Sequence, residues 1–191
     1  MVYKDIKFSE DKLKGQDFSG VIFESCKFVG VTLRFTNFSE CVFKSCNFSG
    51  SFLELVSFSK CKFPDSKLSF LDFGNTSIFD CDFLDSVAEN CIFQKLKGAS
   101  KSDLKKFNLK TSNFSNCLLS GSVFVFCDLE KVSFEGSDLH GAIFERCSLK
   151  GASFKQAKIE GVGFRNSKID GALLDINGFV EYGTSQGFKL D

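Results

Sequence analysis

A large apolar residue recurs at every fifth position of this chain. The series opens with Phe8, Leu13, Phe18, Phe23, Phe28, Leu33, Phe38, Phe43 and Phe48 and continues to Phe93 with one lapse, at Ala88. It then slips by one residue, resumes at Leu104, and runs through Leu109, Phe114, Leu119 and Phe124 to Leu174 without another lapse. A period of five fits neither the 3.6 of a helix nor the 2 of a simple strand. It calls for a solenoid in which five residues make one side of each coil. With the apolar residue as the centre of a unit, Cys26, Cys41, Cys46, Cys61, Cys81, Cys91, Cys117, Cys127 and Cys147 all lie two positions before a centre, which accounts for all nine cysteines. Ser51, Ser66, Ser112, Ser122, Ala142 and Ala152 share that place. The slot is therefore small and inward-facing, and a thiol fills it as a compact hydrophobe. Glycine gathers two residues after a centre, from Gly15 and Gly20 to Gly161 and Gly171. That position predicts a corner with positive φ.

Units such as CNFSG (46–50), SDLHG (137–141), CSLKG (147–151) and ASFKQ (152–156) resemble the pentapeptide-repeat family, whose consensus is A(D/N)LXX. The resemblance spans residues 6–174. It implies an all-β fold, a right-handed quadrilateral β-helix with four units per coil, hence about eight coils rising about 4.8 Å each. The chain after 104 supports an even number of units per coil, because Phe and Leu or Ile alternate there. Four per coil puts Leu109, Leu129, Leu149 and Ile169 in one column and Phe114, Phe134 and Phe154 in another. The expected organisation is a β-helix over 1–175 with a register break at 94–103, then a C-terminal cap over 176–191.

The break carries Lys95, Lys97 and Lys101. It reads either as a one-residue bulge or as a longer loop that leaves the coil and returns, and loops on rigid scaffolds often carry function. Ahead of it lies an acidic stretch of Asp65, Asp72, Asp80, Asp82, Asp85 and Glu89, opposed by Lys67. None of these is at an inward position. The stretch is either an ordinary charged face or a patch presenting carboxylates at regular spacing. Beyond Leu174, Ile176, Phe179, Val180 and Gly183 fall on one helical face. A solenoid end exposes its core and strand edges, so this helix is expected to cap the coil, and Ile176, Phe179 and Val180 could also join two copies. Phe35, Phe52, Leu55, Phe70, Phe79, Leu84, Val125 and Phe126 are apolar at outward positions. A cluster of such residues can mark a contact surface.

Composition narrows the function. Lys plus Arg and Asp plus Glu are each 24, so the formal charge is zero, which disfavours direct nucleic-acid binding. Phe numbers 26 of 191 residues, enough for a large core. A single His, with no CxxC, HExxH or phosphate loop, leaves no enzyme constellation, metal site or cofactor expected. Nine unpaired thiols fit a reducing, cytoplasmic setting. The N-terminus shows no signal-like run and no segment reads as a membrane span. Size, single break and helical cap are similar to Qnr-type quinolone-resistance proteins. That resemblance implies a non-enzymatic DNA mimic that binds DNA gyrase or topoisomerase IV, protects them from quinolones, and dimerises through its cap. Zero net charge departs from that pattern. The alternative is a cytoplasmic interaction scaffold with a different protein partner.

Overall fold

The computed structural model describes residues 1–95 and 106–191 and shows a four-sided parallel β-solenoid closed by one C-terminal helix. The strands are only a few residues long, because each five-residue side must end in a corner. Successive levels pair in parallel at a spacing of 20 residues, as in Val2↔Ile22, Phe23↔Phe43 and Phe38↔Phe58. One ladder, Lys7–Lys27–Asn47–Lys67–Val87–Leu118–Asp138–Lys158, runs nearly the length of the rod. Numbering the faces in chain order, their centres begin at Tyr3, Phe8, Leu13 and Phe18.

The core is a lattice of aromatic rings. On the first face Tyr3, Phe23, Phe43, Phe63, Phe83, Phe114, Phe134 and Phe154 form one stack, with near-parallel neighbours 4.8 to 5.5 Å apart. That spacing is the distance between hydrogen-bonded strands, so backbone pairing and ring stacking reinforce each other. Rings of neighbouring columns meet edge-on, as Phe23 and Phe28 do at 5.7 Å and 70°. Where a column is aromatic, ring stacks on ring, and this accounts for the abundance of Phe, while centres such as Leu68, Leu119 and Leu139 are aliphatic.

The corners are left-handed whether or not glycine occupies them. Gly20 has φ 62° and Gly171 has 68°, but Phe35 (53°), Leu55 (53°), Asp65 (55°), Phe70 (65°) and Asp85 (59°) adopt the same conformation. A side chain there carries a cost of about 1–2 kcal/mol relative to ordinary backbone.

The small slot is more than a gap-filler. Cys41, Cys61 and Cys81 donate Sγ–H to the carbonyls of Phe18, Phe38 and Phe58, each 23 residues earlier. Ser66 Oγ does the same to Phe43 O at 2.6 Å and Thr36 Oγ1 to Leu13 O at 2.9 Å. The slot therefore selects small residues that can donate, with Ala and Val as the apolar remainder. All nine thiols are free and buried. Burial pushes those of Cys46, Cys91 and Cys117 up to about 12, which keeps them protonated and unreactive.

Between Phe93 and Leu109 the climb changes. Asp82 pairs with Asn113, Val87 with Leu118 and Ile92 with Val123, a spacing of 31 residues where other levels take 20. The 11 extra residues (31 − 20) add no level to the rod. Phe93 stacks directly on Phe124 at 4.6 Å, so the core crosses this point without a gap. Leu104, Lys97 and Lys101 lie outside the described residues.

The two ends differ. At the C-terminal end Ile176–Ser185 forms α2, N-capped by Asp175, whose side chain accepts from Gly178 N at 2.8 Å and from Gln156 N at 2.6 Å. Those bonds hold the Asp175 carboxyl below the usual carboxylate range. Gly178 sits against Leu174 and Ile159, and Tyr182 meets Phe164 edge-on at 5.6 Å, closing the aromatic column. At the other end the single turn α1 (Glu10–Leu13) forms the first level of the third face, with Leu13 fully buried.

Candidate protein-binding surfaces

Register places each acidic residue on the rod. Asp65 and Asp85 are stacked corner residues between the first and second faces, and Asp82 lies on the first face beside them. Asp80 occupies the corner leading into the first face. Glu89 is on the second face, and Asp72 is on the third, where it pairs with Ile92. The six carboxylates thus spread over three faces, with Asp65, Asp82 and Asp85 the group that converges. Lysine interleaves them, since Lys62 lies directly below Asp82 in the ladder. Asp82 is further engaged, accepting from Asn113 Nδ2 at 3.0 Å and Leu84 N at 3.1 Å.

Elsewhere charges pair vertically, one level on the next. Arg34 Nε reaches Glu54 at 2.8 Å and Lys158 Nζ reaches Asp138 at 3.2 Å. Lys110 contacts both Asp128 (3.2 Å) and Glu130 (3.0 Å). The Glu130 and Asp128 carboxylates hold the Lys110 ammonium above the ordinary lysine range. Stacked opposite charges cancel at a distance, so these paired groups add little to a long-range field. Among the described residues no group of three or more His, Cys, Asp or Glu could hold a metal ion, and no helix is long and apolar enough to cross a membrane.

The exposed apolar residues form a second candidate surface. Phe35, Phe52 and Leu55 stand on the third face and its trailing corner, 51%, 67% and 58% exposed, beside the Arg34–Glu54 pair. Phe70, 67% exposed, occupies the leading corner of that face one level further on. Phe79 is exposed on the fourth face, whereas Leu84, Val125 and Phe126 are half-buried. Lys95 is exposed and lines a shallow cavity of about 310 Å³ with Leu55, Asn75 and Thr76. A third surface lies on the cap, where Ile176, Phe179 and Val180 are exposed. Phe188 and Leu190 join Phe179 and Val180 around a groove of about 260 Å³.

A four-sided parallel solenoid with small donors in its inward slots and left-handed corners is a repeat protein of the pentapeptide kind. Models of the pentapeptide repeats match residues 8–44 and 36–69, and the pentapeptide repeat region model matches 101–174. The chain belongs to the pentapeptide-repeat family. Among solved structures it is similar to full-length QnrB1, a plasmid-mediated fluoroquinolone resistance protein, at 20% identity over 98% of this chain and 97% of that one, TM-score 0.48. It is also similar to HetL, involved in heterocyst differentiation regulation in Nostoc, at 16% identity over 90% and 84%, TM-score 0.36. A pentapeptide-repeat protein of the Arabidopsis thaliana thylakoid lumen matches at 24% identity over 75% and 74%, TM-score 0.32. No curated protein sequence matches the chain.

Proposed function

We propose that this protein is a non-enzymatic scaffold whose third face binds a protein partner. The observation that carries this reading is the placement of Phe35, Leu55 and Phe70 at exposed corners with positive φ. At each of them glycine would relieve strain, and a bulky apolar side chain in water gains nothing for the fold. Residues kept against both costs mark a contact surface. Replacing Phe35 and Leu55 together by Gly is expected to leave the melting temperature unchanged or raise it while partner capture is lost. Capture that survives this variant at wild-type level would dismiss the third face.

A second reading has the protein acting as a DNA mimic on DNA gyrase or topoisomerase IV, with quinolone protection as the outcome. The stacking of Asp65 and Asp85 beside Asp82 favours it, since carboxylates one level apart approximate the phosphate spacing of duplex DNA. A supercoiling titration with and without a fluoroquinolone tests it, using Asp65→Asn/Asp82→Asn/Asp85→Asn as the control. Inhibition or drug rescue lost in that variant supports mimicry, and no effect at large molar excess of folded protein rejects it. In either reading the partner is a protein, and the exposed Ile176, Phe179 and Val180 support a dimer formed cap to cap.

A further inference from the structure

The open end of the rod and the tail beyond α2 are complementary. At the open end β1 (Val2–Lys4) and β2 (Asp17–Ser19) are edge strands, each paired on one side only, with Ile22–Glu24 and Asn37–Ser39. The outermost rings stack inward only: Tyr3 on Phe23 at 5.5 Å, Phe8 on Phe28 at 4.8 Å and Phe18 on Phe38 at 5.2 Å. Among the described residues nothing supplies a next ring, as Tyr182 does at the other end. Tyr3, Ile6, Phe8 and Phe18 line a cavity of about 420 Å³, and Asp11, Lys12 and Gln16 stand on its rim. Tyr3 and Phe18 are half-buried and Phe8 is buried, and an unpaired strand edge beside such rings is a template for an added strand.

The chain carries a segment of that kind. Phe188-Lys189-Leu190-Asp191 alternates apolar and charged residues, the pattern of a half-buried strand. Phe188 and Leu190 are 74% and 76% exposed. Phe188 N donates to Gly183 O at 3.0 Å, and Lys189, Leu190 and Asp191 make no backbone hydrogen bond with the described residues. The charges match as well: the rim offers one carboxylate and one ammonium, Asp11 and Lys12, and the tail offers Lys189 and Asp191.

We infer that residues 188–191 of one copy add a strand to the open end of a second copy, placing Phe188 and Leu190 on Tyr3, Phe8 and Phe18 and pairing Asp191 with Lys12. The contact is head-to-tail, so it continues from copy to copy and does not close. This sets it apart from the cap-to-cap dimer, on which it does not depend.

Sedimentation velocity over a concentration series tests it. The intact chain is expected to form species larger than a dimer as concentration rises. Phe188→Ser/Leu190→Ser, altered only at exposed positions, is expected to form nothing larger than a dimer. Lys12→Glu is expected to move the association midpoint about tenfold higher, and adding Asp191→Lys to restore it. Phe179→Ser/Val180→Ser is expected to keep the head-to-tail contact while losing the cap-to-cap one. An intact chain that never exceeds a dimer overturns the inference. So do larger species that persist when Phe188 and Leu190 are replaced, or a Lys12→Glu midpoint that does not move.

Discussion

Phe43→Ala is expected to remove about 4 kcal/mol of stability and to lower the melting temperature by about 10 °C. Phe43 is fully buried and stacks on Phe23 at 4.8 Å and Phe63 at 5.0 Å. It also meets Phe38 and Phe48 edge-on at 5.1 and 5.2 Å. Its loss opens a cavity that the neighbouring rings cannot fill, because their backbone is held by strand pairing above and below. Phe52→Ala is the control: the same side chain is removed from a site 67% exposed, and stability should move by less than about 1 kcal/mol. Thermal or denaturant unfolding of the two variants decides the matter, and equal losses would mean that the aromatic lattice is not what holds the rod together.

Ser66→Ala should cost about 2 kcal/mol or more, while Ser66→Cys should cost clearly less. Ser66 Oγ donates to Phe43 O at 2.6 Å and accepts from Cys46 N at 2.9 Å, with no solvent access. Alanine leaves a buried carbonyl and a buried N–H without a partner. Cysteine occupies the same slot at 46 and 61 and gives its proton to the equivalent carbonyl, at 3.3 and 3.4 Å. Denaturant unfolding of both variants measures the difference. If alanine and cysteine proved equal, the slot would select for size alone.

The inward positions could be read from the chain because one residue type dominates each. Phe marks the stacked centres, Cys and Ser the slot, and Gly many of the corners. The donor role of the slot was missed, although Cys, Ser and Thr share a polar hydrogen that Ala lacks, and that common property was the available signal. The break could be read only modulo five. A slip of one residue looks the same in a five-residue pattern whether one residue is added or 11, and the pairing between levels, such as that of Val87 with Leu118, separates them. The acidic stretch divides among faces for a related reason. Residues 65–89 cover a little more than one 20-residue coil, so neighbours in sequence are wound around the rod and Asp72 parts from Asp82. The apolar corners were visible as outward residues, but their strain emerged only with φ in hand.

The 20-residue rise also acts as a ruler for change over time. Duplicating or deleting a full coil returns every following side chain to the same side of the rod, so a lineage can lengthen or shorten the molecule while keeping its outer surfaces aligned. Gaining or losing a single five-residue unit turns everything downstream by a quarter revolution, and a face assembled from distant parts of the chain is then dispersed. The 31-residue step escapes this constraint, because its extra residues bypass the count. There the chain holds 11 residues beyond a full coil, and every following side chain still returns to its own column.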